Sequence, residues 1–281
     1  MKLVTFVHLE KISVGALTDK YIYPLPFKSM NELIESGSSV EVLCAMAGNP
    51  IALQEANILA PIPEPKQDII CLGINYMAHA VESARYKKEA FGGERPYAVY
   101  FSKRVNECTP NNGIISEYRN IVDSLDYECE LAVIIGKDCK NVKKENAFDY
   151  IFGYTILNDI SARNLQTRHK QWYFGKSLDG FTPMGPCIVT EDEFERPPVL
   201  EIKSYVNGEL RQDSTTDLLI FDIPHVIEEL SQGMTLKSGS VISMGTPAGV
   251  GMGFKPPKFL HHGDVVECYI EHIGTLRTYI D

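Results

Sequence analysis

Three acidic residues lead into a continuous apolar run in DYECELAVIIG, residues 126–136. Side chains alternate across a strand, so Glu128 and Glu130 share one face, about 7 Å apart. Two carboxylates side by side at the start of a buried segment repel each other and lose hydration. A third, Asp159, ends another apolar run, YIFGYTILND. Hard oxygen ligands on strand ends suit Mg²⁺, which takes carboxylates and keeps waters for a substrate to displace. No histidine or cysteine stands beside them at zinc spacing, which disfavours zinc. Spacing alone leaves two readings open: a divalent-metal site, or a strand face turned to solvent.

A second pair lies in GINYMAHAVE, where His79 and Glu82 are three residues apart. On a helix they share a face, and a carboxylate that orients an imidazole prepares it to take a proton from water. A surface amphipathic helix would show the same pattern. Arg163, Gln166 and Lys176 follow Asp159 closely, and cationic and amide groups there suit an anionic, oxygen-rich substrate. A solvated helix face is the plainer alternative, and it is preferred for Arg168, His169 and Lys170. GTPAGVGMGF, residues 245–254, has G-x-G spacing after a strand, but KPPKF follows. Two prolines cannot open the helix that would receive a pyrophosphate, so a dinucleotide loop is rejected. A glycine-rich turn with the Thr246 hydroxyl remains able to grip a carboxylate. Neither a G-x-S-x-G elbow nor a P-loop is present, so serine hydrolase and NTPase readings lack support.

The elements that must position these groups are mostly strands. MKLVTFVHL and YIYPL read as strands, SMNELIESG as a helix capped by Ser29, and VEVLCAMAG as a second helix. Ala60 to Asp68, APIPEPKQD, suits an extended linker, and a domain boundary is placed there: a small α+β domain over 1–66 and a larger one over 67–281. DIICLGINY reads as a strand and MAHAVESARYKK as a helix with Asn75 as its N-cap. Short strands then recur (YAVYFSK, ELAVIIG, YIFGYTILND, CIVTEDE, LEIKSYVNGEL, SGSVISMG, DVVECYIEHIG), with one late helix near Asp222 to Gln232. Asn207-Gly208 is a hairpin signal. The pattern predicts an α+β, predominantly β fold, a roll or sandwich and not a doubly wound sheet.

Composition narrows the partners. The 281 residues are 44% apolar, enough for a substantial core, and the net charge of −10 argues against nucleic acid or an anionic membrane as partner. Seven scattered cysteines, with no C-x-x-C pair, look reduced and cytosolic. The first apolar run is broken by His8, Glu10 and Lys11, and no window approaches a membrane helix. A soluble, cytoplasmic protein is expected.

Taken in order, GINYMAHAVE, FSK, LDYECELAVIIGK, DYIFGYTILNDISARNLQ, GKSLDGFTPMGPCIVT, VNGELRQDSTTDLLIFDIPHVIEELSQGMTLKSG, GTPAGVG and FLHHGDVVECYIEHIGTLR resemble the fumarylacetoacetate hydrolase family. The acylpyruvase-like and 2-hydroxyhepta-2,4-diene-1,7-dioate isomerase-like members are the nearest in kind, and the resemblance spans about residues 67–281. It implies a mixed β-sandwich roll, usually dimeric. It also implies a divalent metal, Mg²⁺ or Mn²⁺, on Glu128, Glu130 and Asp159. His79 and Glu82 would sit on a lid that orders over substrate and activates water. Arg163, Gln166 and Lys176 would stand near the metal, with Thr246 on the glycine-rich turn.

The activity so implied is hydrolysis of a C–C bond in a 2,4-dioxo acid such as an acylpyruvate, with Lys176 and the metal stabilising a pyruvate enolate. Alternatives are an oxaloacetate-type decarboxylase, or an isomerase of 2-oxo or 2-hydroxy-dienoate dicarboxylates in aromatic-acid breakdown. A catalytically silent acid-binding protein is a reading of another class. The expected partners are a small anionic 2-oxo acid and a second copy of the chain. Asn164 departs from the family, where acidic residues are frequent, and so do Ser243-Met244. SARYKKEAFGGERPY is expected to shape the pocket mouth.

Overall fold

Alternation decides where the central strand sits. Every residue of Cys129–Ile135 is buried. Leu131, Val133 and Ile135 enter one apolar core, while Ala132 and Ile134 enter another on the opposite face. A strand buried on both faces must lie inside a layered structure. The computed structural model describes residues 1–88, 90, 93 and 97–281. The segment expected to shape the pocket mouth therefore lies partly outside the described residues, at 89, 91–92 and 94–96.

Among the described residues the central strand belongs to an eleven-stranded sheet. From one edge its order is Ile51–Ala52, Tyr21–Leu25, Lys11–Leu17, Lys2–His8, Met184–Thr190, Ile151–Asn158 and Cys129–Ile135. Val241–Ser243, Ile69–Leu72 and Tyr100–Lys103 complete it, and Asn57–Ile58 pairs off the path with Lys2–His8. A five-stranded sheet packs on its face, ordered Glu209–Thr215, Glu201–Val206, Val265–Ile270, Gly274–Ile280 and Gly113–Ile115. Most pairings are antiparallel. Val241–Ser243 with Ile69–Leu72, and Gly274–Ile280 with Gly113–Ile115, are parallel, so both sheets are mixed. The fold is α+β and predominantly β, as the strand count predicts.

The first 66 residues continue the large sheet, because Lys2 and Leu3 pair with Val189 and Ile188. Helix Met30–Glu35 starts at Ser29, whose hydroxyl accepts from the Glu32 N–H, and packs Met30, Leu33 and Ile34 into the second core. Residues 60–68 form neither helix nor strand, as expected for that proline content. They are packed all the same: Ala60 and Ile62 are buried, and the Thr5 hydroxyl donates to the Pro61 carbonyl at 2.7 Å. The Asn207-Gly208 signal is realised as a two-residue turn between paired Val206 and Glu209, with φ of 53° and 79°.

One expectation needs correction. Asn75 does not cap helix Met77–Lys87; Tyr76 holds that position without a side-chain bond. The Asn75 amide is fully buried and donates to the carbonyls of Phe221 (3.0 Å) and Met244 (2.8 Å), while its oxygen accepts from the Phe221 N–H (2.7 Å). Buried backbone groups without partners cost more than a frayed helix start beside water, so the side chain serves them. It ties three chain segments together beneath the helix. Asn75→Ala therefore leaves three backbone groups unpaired and is expected to cost about 2–4 kcal/mol. Urea unfolding checks this; a loss under about 0.5 kcal/mol would refute the bridging role.

Candidate metal and acid–base centre

The carboxylates meet because two antiparallel strands end together. Glu128 and Glu130 continue the Ala132–Ile134 face of the central strand, and Asp159 follows its partner strand Ile151–Asn158. The Asp159 N–H donates to the Glu128 carbonyl at 2.8 Å. One carboxylate oxygen from each of Glu128, Glu130 and Asp159 lies within 4.8 Å of the others, and all three residues are buried. The solvent-facing reading of this strand is thereby overturned.

Cations crowd the same place. The Lys176 ammonium donates to Glu128 Oε2 and Asp159 Oδ2, both at 2.7 Å. Lys103 donates to Asp159 Oδ1 at 2.6 Å and to the Ile160 carbonyl at 3.2 Å. Arg163 forms an ion pair with Glu128 at 2.7 Å, donates from Nε to Asp126 at 2.8 Å, and holds the Gln166 side-chain oxygen at 3.1 Å. Arg168, His169 and Lys170 are exposed, in line with their reading as a solvated face.

The charges do not balance. Four buried carboxylates (Asp126, Glu128, Glu130, Asp159) face three cations (Lys103, Lys176, Arg163). Burial opposes ionisation of Glu128, but Lys176 and Arg163 outweigh it and hold its pKa below the ordinary carboxylate range. Burial likewise works against the Lys176 ammonium, and Asp159 and Glu128 overcome it, raising that pKa. Glu130 takes the remainder: burial, then the charges of Asp159 and Glu128, push its pKa well above the ordinary value. Its Oε2 accepts from the Ser243 hydroxyl and the Gly245 N–H, and no cation among the described residues bonds to it. A surplus negative charge among hard oxygen donors fits a divalent cation of the Mg²⁺ kind, which would be held by Glu128, Glu130 and Asp159.

The acid–base pair stands over this cluster. Helix Met77–Lys87 carries His79 and Glu82 on one face, with Nδ1 and Oε2 3.1 Å apart, and both are buried. They do not belong to a plain surface face. Glu82 also accepts from the Gly249 N–H, at 3.1 and 3.3 Å to its two oxygens. A Cβ at Gly253 would stand 1.6 Å from Glu82 Oε1, so position 253 has no room for a side chain. A carboxylate bonded to Nδ1 favours the proton on that nitrogen, which would leave Nε2 free to act as a base.

The glycine-rich turn is engaged with the protein's own groups. Its N–H groups serve protein carboxylates: Gly245 serves Glu130, Gly249 serves Glu82, and Gly251 and Met252 serve Asp126 at 2.6 and 3.0 Å. Buried carboxylates require charge-assisted donors, and glycines let the backbone come close enough to supply them. The Thr246 hydroxyl is buried, donates to the Cys129 carbonyl at 2.9 Å and accepts from the Gln212 amide at 2.7 Å. It braces the central strand.

The remaining space is a cavity of about 20 Å³ lined by His79, Glu128, Arg163, Gln166 and Lys176 together with Ile74, Trp172 and Met252. Wider clefts of about 690 and 550 Å³ on the surface are lined by none of these residues. Sequence reasoning passed over Asp126 and Lys103. Asp126 had a signal, since it shares the period of two with Glu128 and Glu130. Lys103 had a weaker one, as a lysine ending the apolar strand YAVYFSK.

The Glu130 shift predicts how pH and metal interact. In the folded metal-free protein Glu130 keeps its proton above pH 4.5, where the unfolded chain has released it. Its contribution to stability is therefore present at low pH and is lost as pH rises toward the raised folded value. A bound cation takes the ionised form and displaces the proton. The rise in Tm caused by Mg²⁺ is expected to grow as pH rises above the ordinary carboxylate range, with proton release on binding. Calorimetry in buffers of different ionisation enthalpy measures that release, and Glu130→Gln should remove it and weaken binding at least about tenfold.

Residues 68–281 match the family described as fumarylacetoacetate (FAA) hydrolase C-terminal. Over 229 residues the chain is 48% identical to oxaloacetate tautomerase YisK of Bacillus subtilis (strain 168), covering 82% of this chain and 74% of that protein. Fumarylacetoacetate hydrolase from psychrophilic Exiguobacterium antarcticum superposes with a TM-score of 0.86 at 38% identity, covering 100% of this chain and 99% of that one. The 5-carboxymethyl-2-hydroxymuconate delta-isomerase from Mycobacterium smegmatis gives 0.79 at 30% identity, with 100% and 99% covered. No helix among the described residues is long and apolar enough to cross a membrane. The family match spans the central strand, the cationic cluster and the histidine helix alike, and the chain is an enzyme belonging to the fumarylacetoacetate hydrolase family.

Proposed function

We propose that this enzyme interconverts the keto and enol forms of a small 2-oxo dicarboxylic acid of the oxaloacetate type, with Mg²⁺ or Mn²⁺ at Glu128, Glu130 and Asp159. The observation that carries this reading is the lining of the cavity beside His79, where Arg163, Gln166 and Lys176 offer cationic and amide groups to the carboxylates of a small acid. The 48% identity to a protein named an oxaloacetate tautomerase supports the same choice.

When bound, the divalent ion supplies positive charge toward the enolate that forms during the reaction. The chain's own groups do the rest. Arg163 and Lys176 attract the acid's carboxylates, and Gln166, held by Arg163, offers its amide to the same cavity. Glu82 fixes the imidazole so that Nε2 of His79 takes a proton from the carbon next to the 2-oxo group. Lys176, kept protonated by Asp159 and Glu128, stabilises the enolate oxygen, which then regains a proton from the imidazolium. A small acid enters by movement of helix Met77–Lys87, because His79, Glu82 and Ser83 are buried under it.

Hydrolysis of an acylpyruvate is the second reading, favoured by one observation: the cavity beside a carboxylate-oriented histidine is the size of a water. Both reactions pass through a 2-oxo acid enolate, that of the intact dicarboxylic acid in tautomerisation and that of pyruvate in the cleavage. Three measurements with Mg²⁺ separate them: decay of the oxaloacetate enol absorbance, pyruvate release from oxaloacetate, and pyruvate release from a 2,4-dioxo acid. The expected result is accelerated enol decay that His79→Ala slows by about 10²–10⁴-fold and Glu128→Ala abolishes. Metal-dependent cleavage of the 2,4-dioxo acid without enol turnover would instead establish the hydrolase, and no turnover of either acid would leave a binding protein.

A further inference from the structure

Gly73 and Trp172 are fitted to one another. A Cβ at Gly73 would lie 2.1 and 2.5 Å from the outer carbons of the Trp172 indole, so the ring rests directly on the Gly73 backbone. Phe101 meets the indole edge-on, with ring centroids 5.3 Å apart at 70°. The Lys176 ammonium stands 5.2 Å over the Phe101 ring on its other side. Trp172 also opens the short helical turn Tyr173–Lys176, its carbonyl accepting from the Lys176 N–H at 3.1 Å. The indole is thus fixed by a glycine that leaves it space and an aromatic ring that it shares with the central lysine.

This ring lines the same cavity as His79, Glu128 and Lys176. The polar lining, which includes Lys87 with its ammonium 5.5 Å over the indole, suits the carboxylates of a short acid, whereas an alkyl tail would have to be taken by the apolar lining. Ile74 and Met252 are buried in the body of the fold, whereas Trp172 is only partly buried and sits in a turn. It is the largest apolar side chain in the lining. We infer that Trp172 is the wall that sets the length of the acid admitted beside Lys176, so that the site takes short 2-oxo acids and excludes long-tailed ones. This rests on the proposed enolising function for its substrate class, but binding alone reads it out.

The test uses the full chain with Mg²⁺ and three probes: oxalate, pyruvate and 2-oxooctanoate. In the wild type, 2-oxooctanoate should bind at least about tenfold more weakly than pyruvate. Trp172→Ala should recover at least about tenfold of that difference by calorimetry while oxalate affinity changes less than about threefold, with Trp172→Phe in between. Trp172→Phe keeps an aromatic ring on Gly73 and carries the test if the alanine variant fails to fold. Trp172 is the only tryptophan in the chain, so its emission reports ligand arrival in the wild type directly. A pyruvate to 2-oxooctanoate ratio unmoved by both substitutions would overturn the assignment, as would emission unmoved at saturating pyruvate. Failure of the enolising reading looks different: the binding ratio shifts as stated, yet oxaloacetate enol decay is not accelerated.

Discussion

Four carboxylates buried among three cations set the terms for the rest of this molecule. Isolated ionised groups cannot be taken out of water unless they are paired and hydrogen-bonded. Every neighbouring element can be read as an answer to that demand. The glycine-rich turn lends three amides, Ser243 lends a hydroxyl, and two lysines and an arginine lend charge. What the protein does not neutralise is left near Glu130, and that remainder is what a divalent ion held by Glu128, Glu130 and Asp159 would take up.

The acid–base pair depends on the same constraint by another route. Glu82 belongs to the histidine helix but is held by the turn, through the Gly249 N–H and the bare backbone of Gly253. Arg85, one turn further along the helix, donates to the Gly253 carbonyl at 3.0 Å. The segment that stabilises Asp126 and Glu130 therefore also anchors helix Met77–Lys87 and, through Glu82, orients His79. One loop thus holds Glu130, a candidate metal ligand, and Glu82, the partner of the candidate base His79, so their geometry is set together.

Much of this was legible in the residues and some was not. The period of two placed Glu128 and Glu130 on one face, and Ser29, Asp222 and Asn207-Gly208 marked their helices and hairpin where the structure has them. Asn75 misled because a residue suited to an N-cap has the same chemistry as a buried bridge, and only tertiary packing decides between them. The partners of Thr246 and of the turn's amides were hidden for a related reason. Their donors are visible in sequence, but their acceptors lie more than a hundred residues away, as with Gly245 and Glu130. The strands Lys11–Leu17, Gly113–Ile115 and Gly274–Ile280 went unread; the last alternates buried and exposed residues but sits on an edge-side layer with few apolar side chains. The size of the cavity had no sequence signal at all, since Gly73 and Trp172 meet only in the fold.

The large sheet also settles a problem of self-association. Its catalytic strands are flanked by Lys2–His8 and the hairpin strands beyond it, so the row of unpaired backbone groups is passed outward to Ile51–Ala52, a strand of two residues. Among the described residues the row ends at the other side at Tyr100–Lys103, a strand of four. Edges this short offer little template to a passing chain. The first 66 residues thus move the exposed margin of the sheet away from the strands that carry the carboxylates.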